Sequence, residues 1–263
     1  MYFLRLVRNF LIIVFCANHA PADVISDLYE ALQMDRVNEI IRVEGIQDAR
    51  GTGEVYLSKN TVSRFVDQAQ SVYQLETMEK DFKRLLTENL SISDAEAVLL
   101  FYRSPIGKMA SELEVSARVA ISDKQIEEMA KIKFNEAVNL KNERLKELGS
   151  VIETLELVEQ NLIGAYAAQF AFMYELSKLG LVNLSRQEMI DAITSDEKKL
   201  KSDILEWLMA FSHMAYSPMS DEEFGVYNDF SKSALGITLN KALFSVYNEM
   251  AKDQSQRLAS ILG

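Results

Sequence analysis

Helix-breaking residues are scarce in this chain. Its 263 residues include three prolines and ten glycines, and only Pro105 and Pro218 lie beyond residue 22. Proline and glycine are the strongest local punctuators, so long uninterrupted helices are expected. Cysteine is nearly missing as well. Cys16 stands alone, which excludes a disulfide framework. Histidine occurs twice, as His19 and His213. Basic residues are outnumbered, with 28 Lys and Arg against 39 Asp and Glu.

The first 22 residues read as an address. Arg5 and Arg8 form a basic start, Phe10 to Ala17 (FLIIVFCA) an apolar run, and Ala20-Pro21-Ala22 a small-x-small cleavage site. A run of eight is too short to span a bilayer, which takes about 20 apolar residues. A lipoprotein site would place a small residue just before the cysteine, and Phe15 is large. Residues 1–22 are therefore expected to be a cleaved signal peptide, with retention as an anchor the alternative. Cleavage removes Cys16 and His19 and leaves 241 of the 263 residues. Taking Arg5 and Arg8 from 28 basic residues leaves 26 against 39 acidic ones, a formal charge of −13. Such a surface argues against nucleic acid and against anionic lipid. It is compatible with a cationic partner, or simply with solubility.

Periodicity then sets the fold class. From Thr61, apolar residues recur at Val62, Phe65, Val66, Ala69, Val72 and Tyr73, and Met78, Phe82, Leu85 and Leu86 continue the face. This is the pattern of an amphipathic helix, and no period-2 run competes with it. The class is all-α. Helices are expected over 24–34, 35–49, 61–88, 94–103, 105–121, 124–148, 151–178, 186–216 and 221–230, with a last one after Ser233. Gly51-Thr52-Gly53 reads as a helix-ending turn, and the polar segment 124–148 as an exposed arm. Asn161 to Tyr174 (NLIGAYAAQFAFMY) carries no charge. Apolar on all sides but too short to span a membrane, it is expected to be a central buried helix. Tyr166, Phe170 and Tyr174 on that helix could line a ligand groove, with plain core packing the alternative.

One stretch, FYRSPIGKM, raises a specific question: a helix ends at Arg103 and another starts at once. Pro105 disfavours helical geometry at Ser104 and fits the first position of a new helix. Ser104 can then cap it. Gly107 at the third position costs up to about 1 kcal/mol relative to Ala, which a close backbone crossing would explain. A shift of 129 residues aligns FYRSPIG with FSKSALG, Phe230 to Gly236. Phe101, Ser104 and Gly107 meet Phe230, Ser233 and Gly236. The apolar face Ile106, Met109, Ala110, Leu113, Ala117 meets Leu235, Thr238, Leu239, Ala242, Val246. This suggests two similar helical halves, 23–148 and 149–263, packed around the apolar helix.

The motif, preceded by SDAEAVLLFY, resembles the F-Y-x-S-P-x-G signature of the bacterial domain of unknown function 2059 family, over roughly Met78 to Leu140. Phe101, Tyr102, Ser104, Pro105 and Gly107 match it, and Phe230 to Gly236 lacks its tyrosine and proline. The resemblance implies a bacterial, periplasmic, helical protein and supplies no catalytic residues.

Candidates for chemistry are few. A Ser–His–Asp triad could run only through His213, the remaining histidine, and no G-x-S-x-G elbow accompanies it. Phosphate and dinucleotide fingerprints are missing. Met209 and His213 share a helix face and could offer a soft metal two ligands. Core packing is the competing account, and no cofactor is expected. The expectation is a non-enzymatic module that binds a protein or peptide, or itself. A small-molecule or soft-metal carrier is the alternative, and a carboxylate-based hydrolase a third.

Overall fold

The computed structural model describes residues 21–262. The expected signal peptide, 1–22, lies outside the described residues except at Pro21 and Ala22, which open the first helix. Thirteen α-helices and no strands occur among the described residues. They are α1 (Pro21–Ala31), α2 (Met34–Tyr56), α3 (Lys59–Ala69), α4 (Leu75–Asn89), α5 (Ile92–Tyr102), α6 (Pro105–Ile121), α7 (Lys124–Asn139), α8 (Arg144–Thr154), α9 (Leu157–Lys178), α10 (Arg186–Thr194), α11 (Glu197–Tyr216), α12 (Asp221–Lys232) and α13 (Ala234–Ser260). The fold is all-α.

Serine starts many of these helices. Ser91, Ser104, Ser220 and Ser233 each accept a hydrogen bond from the backbone N–H three residues on, at 3.1 to 3.2 Å. Each satisfies a donor that the helix itself leaves free. Ser91 caps α5, which starts at Ile92 rather than at the expected 94.

Several expected helices are broken. The segment 61–88 is interrupted between α3 and α4, and 186–216 at Ser195 and Asp196. The segment 151–178 breaks at Leu155 and Glu156, where Glu156 takes a left-handed backbone at φ 52°. Conversely, α2 runs straight through Gly51 and Gly53 to Tyr56. The expected arm 124–148 is two helices, and α7 packs on α6 and α11 with Ala130 and Ala137 buried.

Two large apolar clusters hold the bundle. The first joins α1, α4, α5 and α13 through residues such as Ile25, Leu28, Phe82, Leu86, Val98 and Val246. The second joins α8, α11, α12 and α6 through Leu148, Ala215, Phe224 and Ala110. Helix packing runs in parallel. α1 packs on α2, α4 and α5, as α8 does on α9, α11 and α12. α2 packs on α3, α4 and α6, as α9 does on α10, α11 and α13. Between the groups, α4 and α5 meet α13, while α11 and α12 meet α6.

The expected central helix is not central. α9 buries only Leu162, Ala171 and Leu176, and Ile163 and Tyr174 are exposed. Its main packing partner is α13, against which Gly164 sits, while Ala167 lines a groove with α10. The helix through the middle is α13, which touches α4, α5, α9 and α12 and buries eight residues from Gly236 to Ala259.

Candidate functional site

The corner between α5 and α6 sets the geometry. Ser104 Oγ accepts from Gly107 N, and Pro105 opens the helix. A Cβ on Gly107 would stand 2.2 Å from the Phe101 carbonyl oxygen and 2.6 Å from Tyr102 Cα. Gly236 has the same relation to Phe230, with a Cβ 2.2 Å from its carbonyl oxygen. Each glycine lets its helix start against the end of the preceding one. The two corners then face each other. The rings of Phe101 and Phe230 stack at 3.6 Å and 3°, and Tyr102 stands edge-on to both. Arg103 is paired to Asp27 at 2.7 Å.

Beside this stack lies a cavity of about 220 Å³. Its floor is Tyr102 and Phe230 from the corners, with Gly236, Leu239, Asn240 and Leu243 of α13. Its roof is α8 and the break after it, through Leu148, Val151, Ile152 and Leu155. A polar wall faces them. Glu114, on the inner face of α6, accepts from the Tyr216 hydroxyl at 2.6 Å and also from the Tyr227 hydroxyl. The two phenol oxygens are 3.0 Å apart. Both bonds go to Glu114 Oε1, and Oε2 takes no hydrogen bond among the described residues. Asn240 Oδ1, on the opposite wall, is buried without a partner.

Electrostatics follow from this placement. Glu114 is surrounded by protein on all sides, yet part of its surface stays open because the cavity borders it. Burial pushes its carboxyl above the ordinary range, against the two phenol hydrogen bonds that pull it down. Burial, and then the nearby Glu114 charge, hold the phenols of Tyr102 and Tyr216 well above 10. Tyr227 responds to the same two causes. The wall can therefore offer a carboxylate oxygen and aromatic faces, but no basic group.

α8 is held over the cavity at its start. Arg144 donates to the carbonyl oxygens of Tyr216 and Met219 at 3.1 and 2.8 Å, and also to Asp221. Its guanidinium lies over Phe224 at 5.1 Å. The chain on either side of α8 turns through left-handed residues, Lys141 (φ 53°) and Glu156 (φ 52°).

The other sequence candidates lie elsewhere. Tyr166 and Phe170 line a shallow apolar groove with Ile190 and Ile193 of α10. Phe170 and Tyr174 stack at 6.0 Å under Arg186. His213 lines a polar cleft with Arg144, Glu147 and Asp221, whereas Met209 packs into the second apolar cluster. No group of three or more His, Cys, Asp or Glu is placed to hold a metal among the described residues. No described helix is long and apolar enough to cross a membrane.

Glu114, Tyr216 and Tyr227 are missing from the sequence candidates. One signal was present. Glu114 follows Ala110 by four and precedes Ala117 by three, which puts an acid on an apolar helical stripe.

Residues 76–132, from α4 into α7, match the family model described as "Uncharacterized protein conserved in bacteria (DUF2059)". That segment holds the Phe101–Gly107 corner and Glu114. No curated protein and no solved structure matches the chain.

Proposed function

We propose that this protein is an exported, non-enzymatic binder of a small molecule, carried in the cavity beneath α8. The observation that carries the reading is Glu114. Its Oε1 is saturated by two phenols while Oε2 is left free at the wall of a cavity. A polar staple needs no cavity beside it, and burying a carboxylate costs stability unless something pairs with it. The size fits, since cavities of about 150 Å³ hold benzene.

The corresponding residues support a specialised site. Under the 129-residue shift Glu114 meets Leu243 and Tyr227 meets Val98. The first apolar cluster is thus apolar where the second carries its acid and phenol. The parallel packing of α1–α6 and α8–α13 supports an internal duplication with α7 as the join, rather than a boundary at 148. The signal-like segment 1–22 supports export, and the bacterial family match is compatible with a periplasmic address.

A second reading has its own observation. The Tyr166/Phe170 groove between α9 and α10, with Arg186 over Phe170 and Tyr174, supports docking of a protein or peptide, including another copy of this chain.

Native mass spectrometry of the full chain, purified from its own host, tests the cavity reading. The expected result is an added mass of a small organic molecule, lost in Val151→Trp, which fills the roof. The bare chain mass in both, with melting temperatures indifferent to added small molecules, contradicts it.

A further inference from the structure

The chemistry of the cavity wall narrows what can sit there. A ligand must satisfy an acceptor, because Glu114 Oε2 is free at one wall. It cannot be an anion. No Lys, Arg or His lines the cavity, and the Arg144 guanidinium at the start of α8 is spent on two carbonyl oxygens and Asp221. Around the carboxylate stand the rings of Tyr102, Tyr216 and Tyr227, with Phe224 and Phe230 beyond them. Aromatic faces attract a cation, most strongly where water is excluded. The remaining walls, on α8 and α13, are mainly leucine, isoleucine and valine, which suit an apolar body.

We infer that the cavity binds a small primary amine in its ammonium form, with the nitrogen on Glu114 Oε2 and the apolar part under α8. This rests on the small-molecule reading above and names its ligand class. An ammonium donates to the free oxygen, forms an ion pair with the carboxylate, and lies against the tyrosine rings. A neutral alcohol of the same shape keeps the hydrogen bond and loses the other two. A carboxylic acid of the same shape places an anion beside Glu114.

Binding also moves a proton. Burial raises the Glu114 carboxyl above its ordinary range in the empty site, and an arriving cation pulls it back down. At pH 4.5 and below, where the raised carboxyl of the empty site is mostly protonated, binding releases that proton to solvent and the ammonium stays charged. The titratable groups facing Glu114 are Tyr102 from α5, Tyr216 from α11 and Tyr227 from α12, all held neutral below pH 10. α8 and α13 contribute no charged side chain to the cavity.

Calorimetric titration of the full chain with butylammonium and 2-phenylethylammonium, against the matching alcohols and carboxylic acids, tests the inference. The amines are expected to bind at least tenfold more tightly than the alcohols, and the acids not at all. In buffers of different ionisation heat, amine binding should release protons at pH 4.5 and alcohol binding none. Glu114→Gln should erase the preference for amine over alcohol. Proton release in the unmodified chain tests the same point if that variant does not fold. Alcohols binding as tightly as amines, or amine binding without proton release at pH 4.5, overturns the ligand class and leaves the cavity reading intact. If neither class binds, both proposals fall.

Discussion

The rings of Phe101 and Phe230, 129 residues apart in sequence, stack face to face at 3.6 Å and 3°. They occupy the same place in two helix corners, each ended by a capping serine and a glycine. Two corners of the same build thus meet ring to ring. The stack joins the two apolar clusters, since Phe101 packs against both.

The corners admit no side chain at the glycine. Gly107→Ala and Gly236→Ala each force a methyl to 2.2 Å from a carbonyl oxygen in the backbone of the preceding helix. Backbone cannot rotate away as a side chain can. Each is expected to destabilise by about 2–3 kcal/mol, with Gly107→Val worse. Urea midpoints of the single variants check this. A midpoint unchanged in Gly107→Ala would remove the close crossing from the account.

Glu114 gives the stability a pH dependence of a definite sign. Its folded carboxyl is raised above the ordinary value of 4.5. The folded state therefore holds a proton that the unfolded chain has released, and stability falls as pH rises through that window. The unmodified protein should lose stability relative to Glu114→Gln between about pH 4.5 and its raised folded value. Paired denaturation curves at pH 4, 6 and 8 measure the difference. A difference that grows in favour of Glu114 with rising pH contradicts the burial argument.

His213 carries the opposite sign. Burial, and then the Arg144 charge, lower its pKa below 6.5. The unfolded chain binds the proton more readily, so stability falls as pH drops below that value. In the chain from Asp23 onward His213 is the sole histidine, so one imidazole resonance in a proton NMR titration reports it. A midpoint above 6.5 would show that the Arg144 contact or the burial is misplaced.

How much of this was legible in sequence depends on the reach of each signal. The corner at Ser104 was readable because cap, proline and glycine act within four residues. The breaks at Glu156 and Lys141 were not. Neither is glycine, and their left-handed backbone carries no local mark. The uncharged run 161–174 was misread for a physical reason. Its Gly164 serves a close neighbour, as a Cβ there would stand 2.3 Å from Asn248 Oδ1. The large residues on its other face, Tyr166 and Phe170, stay partly open. Glu114 was visible as an acid on an apolar stripe. Its partners lie 102 and 113 residues away, and only the fold brings them together.

The latch on α8 can be tested separately. Arg144→Ala leaves the carbonyl oxygens of Tyr216 and Met219 without their donor. It should cost about 1–3 kcal/mol and speed amide exchange in α8. Asp221→Ala removes an almost fully exposed partner and should cost under about 1 kcal/mol. Equal losses from the two variants, read from urea midpoints, would mean that the salt bridge and not the carbonyl clamp holds α8.

The most direct measurement is a crystal structure of the full chain grown with 2-phenylethylammonium. The account predicts density beneath α8, its nitrogen about 2.7–2.9 Å from Glu114 Oε2 and its ring against Leu148 and Ile152. Density for ordered water alone, or a collapsed cavity with Glu114 bound only by Tyr216 and Tyr227, would contradict it.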